Sequence, residues 1–143
     1  MSKMGKNEIA FFIFTLSIVF AEEKEDYGQY GNYNLWRQTL CERDDDALNR
    51  DVQNCMTYEN SHFYRSWKCC LEEILPNAKG SFIVYQKTAC ENKFIYYMTD
   101  ECIDKRKAVK TKMQMNEPAA ICFDDILKKH DLTELRKYFF DEE

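Results

Sequence analysis

A chain of 143 residues with 25 acidic and 20 basic side chains, a formal net charge of −5, has the length of one domain. Its sign argues against nucleic acid as a main partner and against a cationic membrane-lysing peptide, since each needs a basic face.

The chain opens with Lys3 and Lys6, followed by an apolar run from Ile9 to Phe20 that ends in Val19-Phe20-Ala21 before Glu22-Glu23-Lys24. A basic start, a short apolar core and small residues flanking the cut describe a secretory signal peptide over residues 1–21. The run is shorter than the roughly 20 residues a spanning helix requires, and no later segment is apolar enough to take that role. Its removal leaves a chain more acidic by one charge, with no stable membrane insertion expected. All seven cysteines (Cys41, Cys55, Cys69, Cys70, Cys90, Cys102 and Cys122) follow the cut. In a secreted, extracellular chain they are expected to form a framework of about three disulfides. Their connectivity stays open, and the odd thiol is either buried and inert or pairs with another chain in a disulfide-linked dimer.

Residues 22–34 place Tyr27, Tyr30 and Tyr33 among glycines, asparagines and charges without apolar periodicity, which reads as a flexible N-terminal arm. A disulfide-rich domain over residues 35–143 follows. Asn34 is suited to cap a short helix carrying Leu35, Trp36, Leu40 and Cys41. Asp44-Asp45-Asp46 then opens a clearer helix, on which Leu48, Val52, Cys55 and Met56 make one apolar stripe. Those aspartates do not fit a calcium loop, which requires glycine and glutamate where Asn49 and Cys55 stand.

The strongest helical pattern runs from Ser61, read as its cap, to Leu75. Phe63, Trp67, Cys70, Leu71, Ile74 and Leu75 recur at helical spacing, and Pro76-Asn77 stops the run. Adjacent cysteines on a helix point about 100° apart. Cys69 and Cys70 therefore read as a junction sending one crosslink to an earlier segment, holding Cys41 or Cys55, and one to a later segment. From Phe82 to Met98 a further helix is expected, with Cys90, Phe94, Tyr97, Met98 and Cys102 on one side and a break near Thr99-Asp100. Lys105 to Lys112 places five positive charges in eight residues, read as a solvated helix end and linker rather than a polyanion site. Asn116-Glu117-Pro118 starts another helix with Ala119, Cys122, Phe123, Ile126 and Leu127 inward. His130 ends it, as a partner for the helix dipole. Asp131-Leu132-Thr133-Glu134 has capping-box spacing before Leu132, Leu135, Tyr138 and Phe139. The sum is an all-α fold, a small bundle of five or six short helices crosslinked by about three disulfides.

No Gly-x-Ser-x-Gly, His-Glu-x-x-His, phosphate-loop or dinucleotide fingerprint occurs, and His62 and His130 have no neighbours that mark a dyad. A secreted phospholipase A2 would follow its cysteine pair with His-Asp; here Leu71-Glu72-Glu73-Ile74 follows Cys69-Cys70. Thiolate zinc is disfavoured because no Cys-x-x-Cys is present. No catalytic, cofactor-binding or metal residues are assigned, and the protein reads as a non-enzyme.

Leu40-Cys41-Glu42-Arg43-Asp44-Asp45-Asp46-Ala47-Leu48, with Cys55 ending the next helix, resembles the opening of the microplusin family of secreted arachnid antimicrobial proteins. Asp131-Leu132-Thr133-Glu134-Leu135-Arg136-Lys137-Tyr138-Phe139 is similar to that family's short helix ending in Tyr-Phe. The resemblance implies a small disulfide-laced helical fold, secretion and a defensive role. The family's copper binding is not carried over, because the clustered histidines are absent. The order Cys41, Cys55, Cys69-Cys70, Cys90 also resembles helical lipid-transfer proteins, with Asn92 where their Cys-x-Cys would end. Two functions follow as expectations. One is a secreted non-enzymatic effector of defence, saliva or venom type that binds a target or sequesters a nutrient metal. The other is an extracellular carrier of small apolar ligands or lipids in a helical cavity. A compact, filled core favours the first and an internal cavity the second.

Overall fold

The computed structural model describes residues 28–108 and 112–140. The expected signal peptide, the start of the arm, the centre of the Lys105–Lys112 run and the acidic end lie outside the described residues. The described chain is all-helical: α1 (Asn34–Arg43), α2 (Asp46–Met56), α3 (Ser61–Ile74), a 3-10 turn (Pro76–Ala78), α4 (Phe82–Glu91), α5 (Phe94–Lys105), α6 (Pro118–Lys129) and a closing 3-10 helix (Thr133–Tyr138). No strand occurs among the described residues beyond an isolated bridge between Met113 and Phe140. The expected fold class is borne out.

The three consecutive aspartates divide their work. Asp44, at φ 46°, closes α1 with its N–H on the Leu40 carbonyl. The Asp45 carboxylate accepts from the N–H groups of Ala47 at 2.9 Å and Leu48 at 3.3 Å, and Asp46 sits in the first turn of α2. This satisfies donors that a helix start otherwise leaves bare. All four stripe residues of α2 (Leu48, Val52, Cys55 and Met56) are buried.

Other caps differ from expectation by one residue. Asn60, not Ser61, caps α3, its Oδ1 accepting from the N–H groups of His62 and Phe63. Asparagine and serine are near-equal caps, so adjacent candidates compete and the extended backbone at Asn60 decides. Asn34 lies inside α1, and its Oδ1 accepts from the Tyr30 N–H at 3.1 Å. Tyr30 is buried in the core, while Gly28, Gln29 and Asn32 of the arm are exposed. The Asp131–Glu134 box does not form: Asp131 is left-handed at φ 56°, and the 3-10 helix after it carries no side-chain cap. After α3, Lys79 and Gly80 take successive left-handed conformations, the second of which glycine adopts without strain.

Three disulfides each join a pair of helices: Cys41–Cys90 links α1 to α4, Cys55–Cys122 links α2 to α6, and Cys70–Cys102 links α3 to α5. Only one crosslink leaves the cysteine pair, which corrects the two-way junction. Cys70 faces inward beside Trp67 and Leu71 and is fully buried, whereas the next side chain round the helix, Cys69, is exposed and free.

The second correction concerns the helix expected from Phe82 to Met98. It breaks at Asn92-Lys93, where Asn92 turns extended (φ −133°, ψ 92°) two residues after the Cys41–Cys90 bond. The Asn92 Oδ1 accepts from the Phe94 N–H at 3.3 Å and so helps to restart the chain as α5. Thr99, where the break was expected, returns its hydroxyl to the Ile95 carbonyl at 2.8 Å within the helix. The break resets the helical phase. Phe94 and Tyr97, read as inward, are 59 % and 52 % exposed, while Ile95, Tyr96 and Thr99 are buried.

Candidate functional site

The helices do not close completely on one another. Between them lies a cavity of about 600 Å³, lined by side chains from all six α-helices and from the closing 3-10 helix. Its apolar walls come from inward positions at helical spacing: Trp36 and Leu40 on α1, Val52 and Met56 on α2, Phe63 and Trp67 on α3. Phe82 and Tyr85 of α4 stand against Trp67, with ring centroids 6.1 and 5.8 Å from the indole. On the opposite side Trp36 meets Phe139 edge-on at 4.9 Å. The edge-to-face geometry is the one aromatic quadrupoles favour, and it holds these rings in fixed orientations round the space.

Within these walls is a polar arrangement. Arg37 of α1 donates from Nη2 to Asp100 Oδ1 at 2.6 Å and from Nη1 to Asp100 Oδ2 at 2.9 Å. Nη1 also donates to the Tyr30 carbonyl at 2.9 Å, and the guanidinium lies 4.5 Å over the Tyr96 ring. The forked donor set of arginine matches a carboxylate in two places, which makes this a strong pair and fixes α1 against α5. Burial works against the charge of Arg37, but the hydrogen bond to Asp100 and the surrounding negative charge outweigh it and raise its pKa. It stays cationic. Tyr85 and Tyr96 are pushed up by burial and stay neutral. Gln86, also buried, points its amide toward both sulfurs of the Cys41–Cys90 bond at 3.7 and 3.5 Å. The Tyr96 hydroxyl lies 3.4 Å from the Cys41 sulfur.

The residues singled out from the sequence lie elsewhere. Six of the seven cysteines are in disulfides, and Cys69 is on the surface of α3. His62 is exposed at the start of that helix. His130 does more than face a helix end: its Nε2 lies 2.8 Å from Asp51 Oδ2, and its carbonyl accepts from Arg43 at 2.8 Å. It therefore ties the end of α6 to α2 and α1. Lys105, Arg106 and Lys107 are exposed, with Arg106 at 3.6 Å from Glu73. Among the described residues no three His, Cys, Asp or Glu side chains gather into a group that could hold a metal ion.

Sequence reasoning did not single out Arg37, Gln86, Tyr96 or Asp100. One signal was available. Gln86 takes an inward place in the series Phe82, Tyr85, Gln86, Ala89, where a polar side chain marks either a buried partner or a cavity. Asp100 and Tyr96 were obscured by the misplaced break. Comparison of the chain with family models, with curated proteins and with solved structures gave no match in any of the three.

Proposed function

We propose that the protein is an extracellular, non-enzymatic carrier that holds a small, largely apolar molecule between its helices. The observation that carries this reading is the aromatic cavity. Its volume of about 600 Å³ falls in the range of small-molecule sites, and its composition of apolar walls with a few convergent polar groups is theirs as well. Trp36 and Phe63 stay half-buried where they border this space, so a molecule seated there would supply contacts that their rings lack. Secretion fits the three disulfides. It also fits the finding that no described helix is long and apolar enough to cross a membrane. The effector of defence, saliva or venom type is the second reading, and Cys69 gives it one concrete feature, an exposed thiol able to join two copies or a partner chain.

Native mass spectrometry of the oxidised protein, purified from secreting cells without detergent, tests the carrier. An added mass that dissociates on denaturation and is identified as an apolar small molecule is expected. A bare protein that also fails to take up the neutral dye Nile red in titration overturns the reading.

A further inference from the structure

The charge round the cavity says which apolar molecules it takes. Among the described residues its lining includes Asp100, Glu101 and Asp104, three carboxylates of α5, and the guanidinium of Arg37. That guanidinium is committed. Both terminal nitrogens bond Asp100, and the pair is shielded, with side-chain exposures of 13 % and 22 %. An anionic ligand that sought Arg37 would have to displace a bidentate carboxylate from it, while facing the remaining carboxylates. The Tyr97 hydroxyl donates to Glu101 Oε1 at 3.1 Å. Asp104 lies one helical turn beyond Asp100, on the same side of α5.

The walls have the same preference. Aromatic faces attract cations, and the cavity already demonstrates it: Arg37 rests on the Tyr96 ring. Trp36 and Phe63, both half-buried, and the exposed Tyr97 supply further ring surface in a partly enclosed space, where a charge is screened less than in water.

We infer that the cavity is selective for small organic cations, an ammonium group joined to an aromatic or apolar body. The inference rests on the carrier reading above and gives its ligand class. The ammonium sits toward Glu101 and Asp104, and the apolar body lies against Trp36 and Phe63.

Three probes of one shape separate the two levels: 1-naphthylmethylamine, cationic at neutral pH, the neutral 1-naphthalenemethanol, and the anionic 1-naphthaleneacetate. Each is titrated calorimetrically into the oxidised protein at low salt. The amine is expected to bind about tenfold more tightly than the alcohol, and the acetate more weakly than either. In the variant Glu101→Gln/Asp104→Asn, whose altered side chains are exposed, the advantage of the amine should shrink severalfold while the alcohol binds as before. Equal binding of amine and alcohol, or tighter binding of the alcohol or the acetate, overturns the selectivity and leaves the carrier standing. If none of the three binds, the carrier reading fails and the selectivity with it.

Discussion

Removing the Cys70–Cys102 bond should destabilise the protein more than any change at its neighbour Cys69. The bond closes a sequence separation of 32 residues and joins α3 to α5. In the chain-entropy model a loop of that size is worth about 3.7 kcal/mol, because the open chain regains conformations the bond denied it. Cys70 is also fully buried, so alanine there leaves a small void on top of the lost crosslink. Against a net stability of roughly 5–15 kcal/mol, the loss is a large fraction. It corresponds to a fall in Tm of roughly 10–15 °C for a domain of this size. The design must silence Cys69, since a free thiol can exchange with the two disulfides that remain. The comparison is therefore Cys69→Ser against Cys69→Ser/Cys70→Ala/Cys102→Ala, by thermal and urea unfolding followed by circular dichroism. The single variant should melt with the parent, as surface substitutions do. A triple variant melting within about 3 °C of Cys69→Ser would show that the packing of α3 on α5 holds without the bond and would refute the reasoning.

Three further outcomes follow from the geometry. The hydrogen bond from His130, with burial opposing and Lys129 adding to it, holds the Asp51 carboxyl below its ordinary range. A depressed carboxylate stabilises the fold above its unfolded pKa, and that contribution is lost as pH falls through the folded one. Asp51→Asn should thus flatten the acid limb of a stability profile below about pH 4, and an unchanged limb would remove the tie. The phase of α5 predicts opposite responses from neighbouring aromatics: Tyr96→Ala should cost about 3–5 kcal/mol and Phe94→Ala under about 1 kcal/mol, as read from urea midpoints, and equal losses would contradict it. Iodoacetamide should label the native protein once, at Cys69, with six more sites appearing only after reduction.

The parts of the fold that could be read from the chain are those where one local rule decides. The stripe of α2, the stop at Pro76 and the proline start of α6 each follow from spacing or from a backbone constraint within a few residues. The missed features depend on partners distant in sequence. Nothing near Asn92 marks the break between α4 and α5 more strongly than Thr99-Asp100 does; the chain departs from the helix just after Cys90 is held by a cysteine 49 residues earlier. That break rotates every side chain of α5, so an error of a few residues in placing it put Phe94 and Tyr97 inside and left Tyr96 and Asp100 unread. The cavity was invisible for the same reason, since its polar pair joins Arg37 to a residue 63 positions away. The cysteine pair shows the limit from the other side. Helical geometry correctly separated the two thiols, but which one meets a partner depends on what packs against α3.

The order in which the disulfides overlap has a consequence for how the molecule meets a protease. Cys41–Cys90 crosses both other bonds, and Cys70–Cys102 lies inside the span of Cys55–Cys122. Between Cys41 and Cys122 there is consequently no peptide bond that at least one disulfide does not bridge. A protease may clip the backbone anywhere in that span, and the pieces remain one covalent body until a reductant arrives. A single cleavage there cannot shed a helix from the bundle, and a molecule nicked once keeps all six helices tethered.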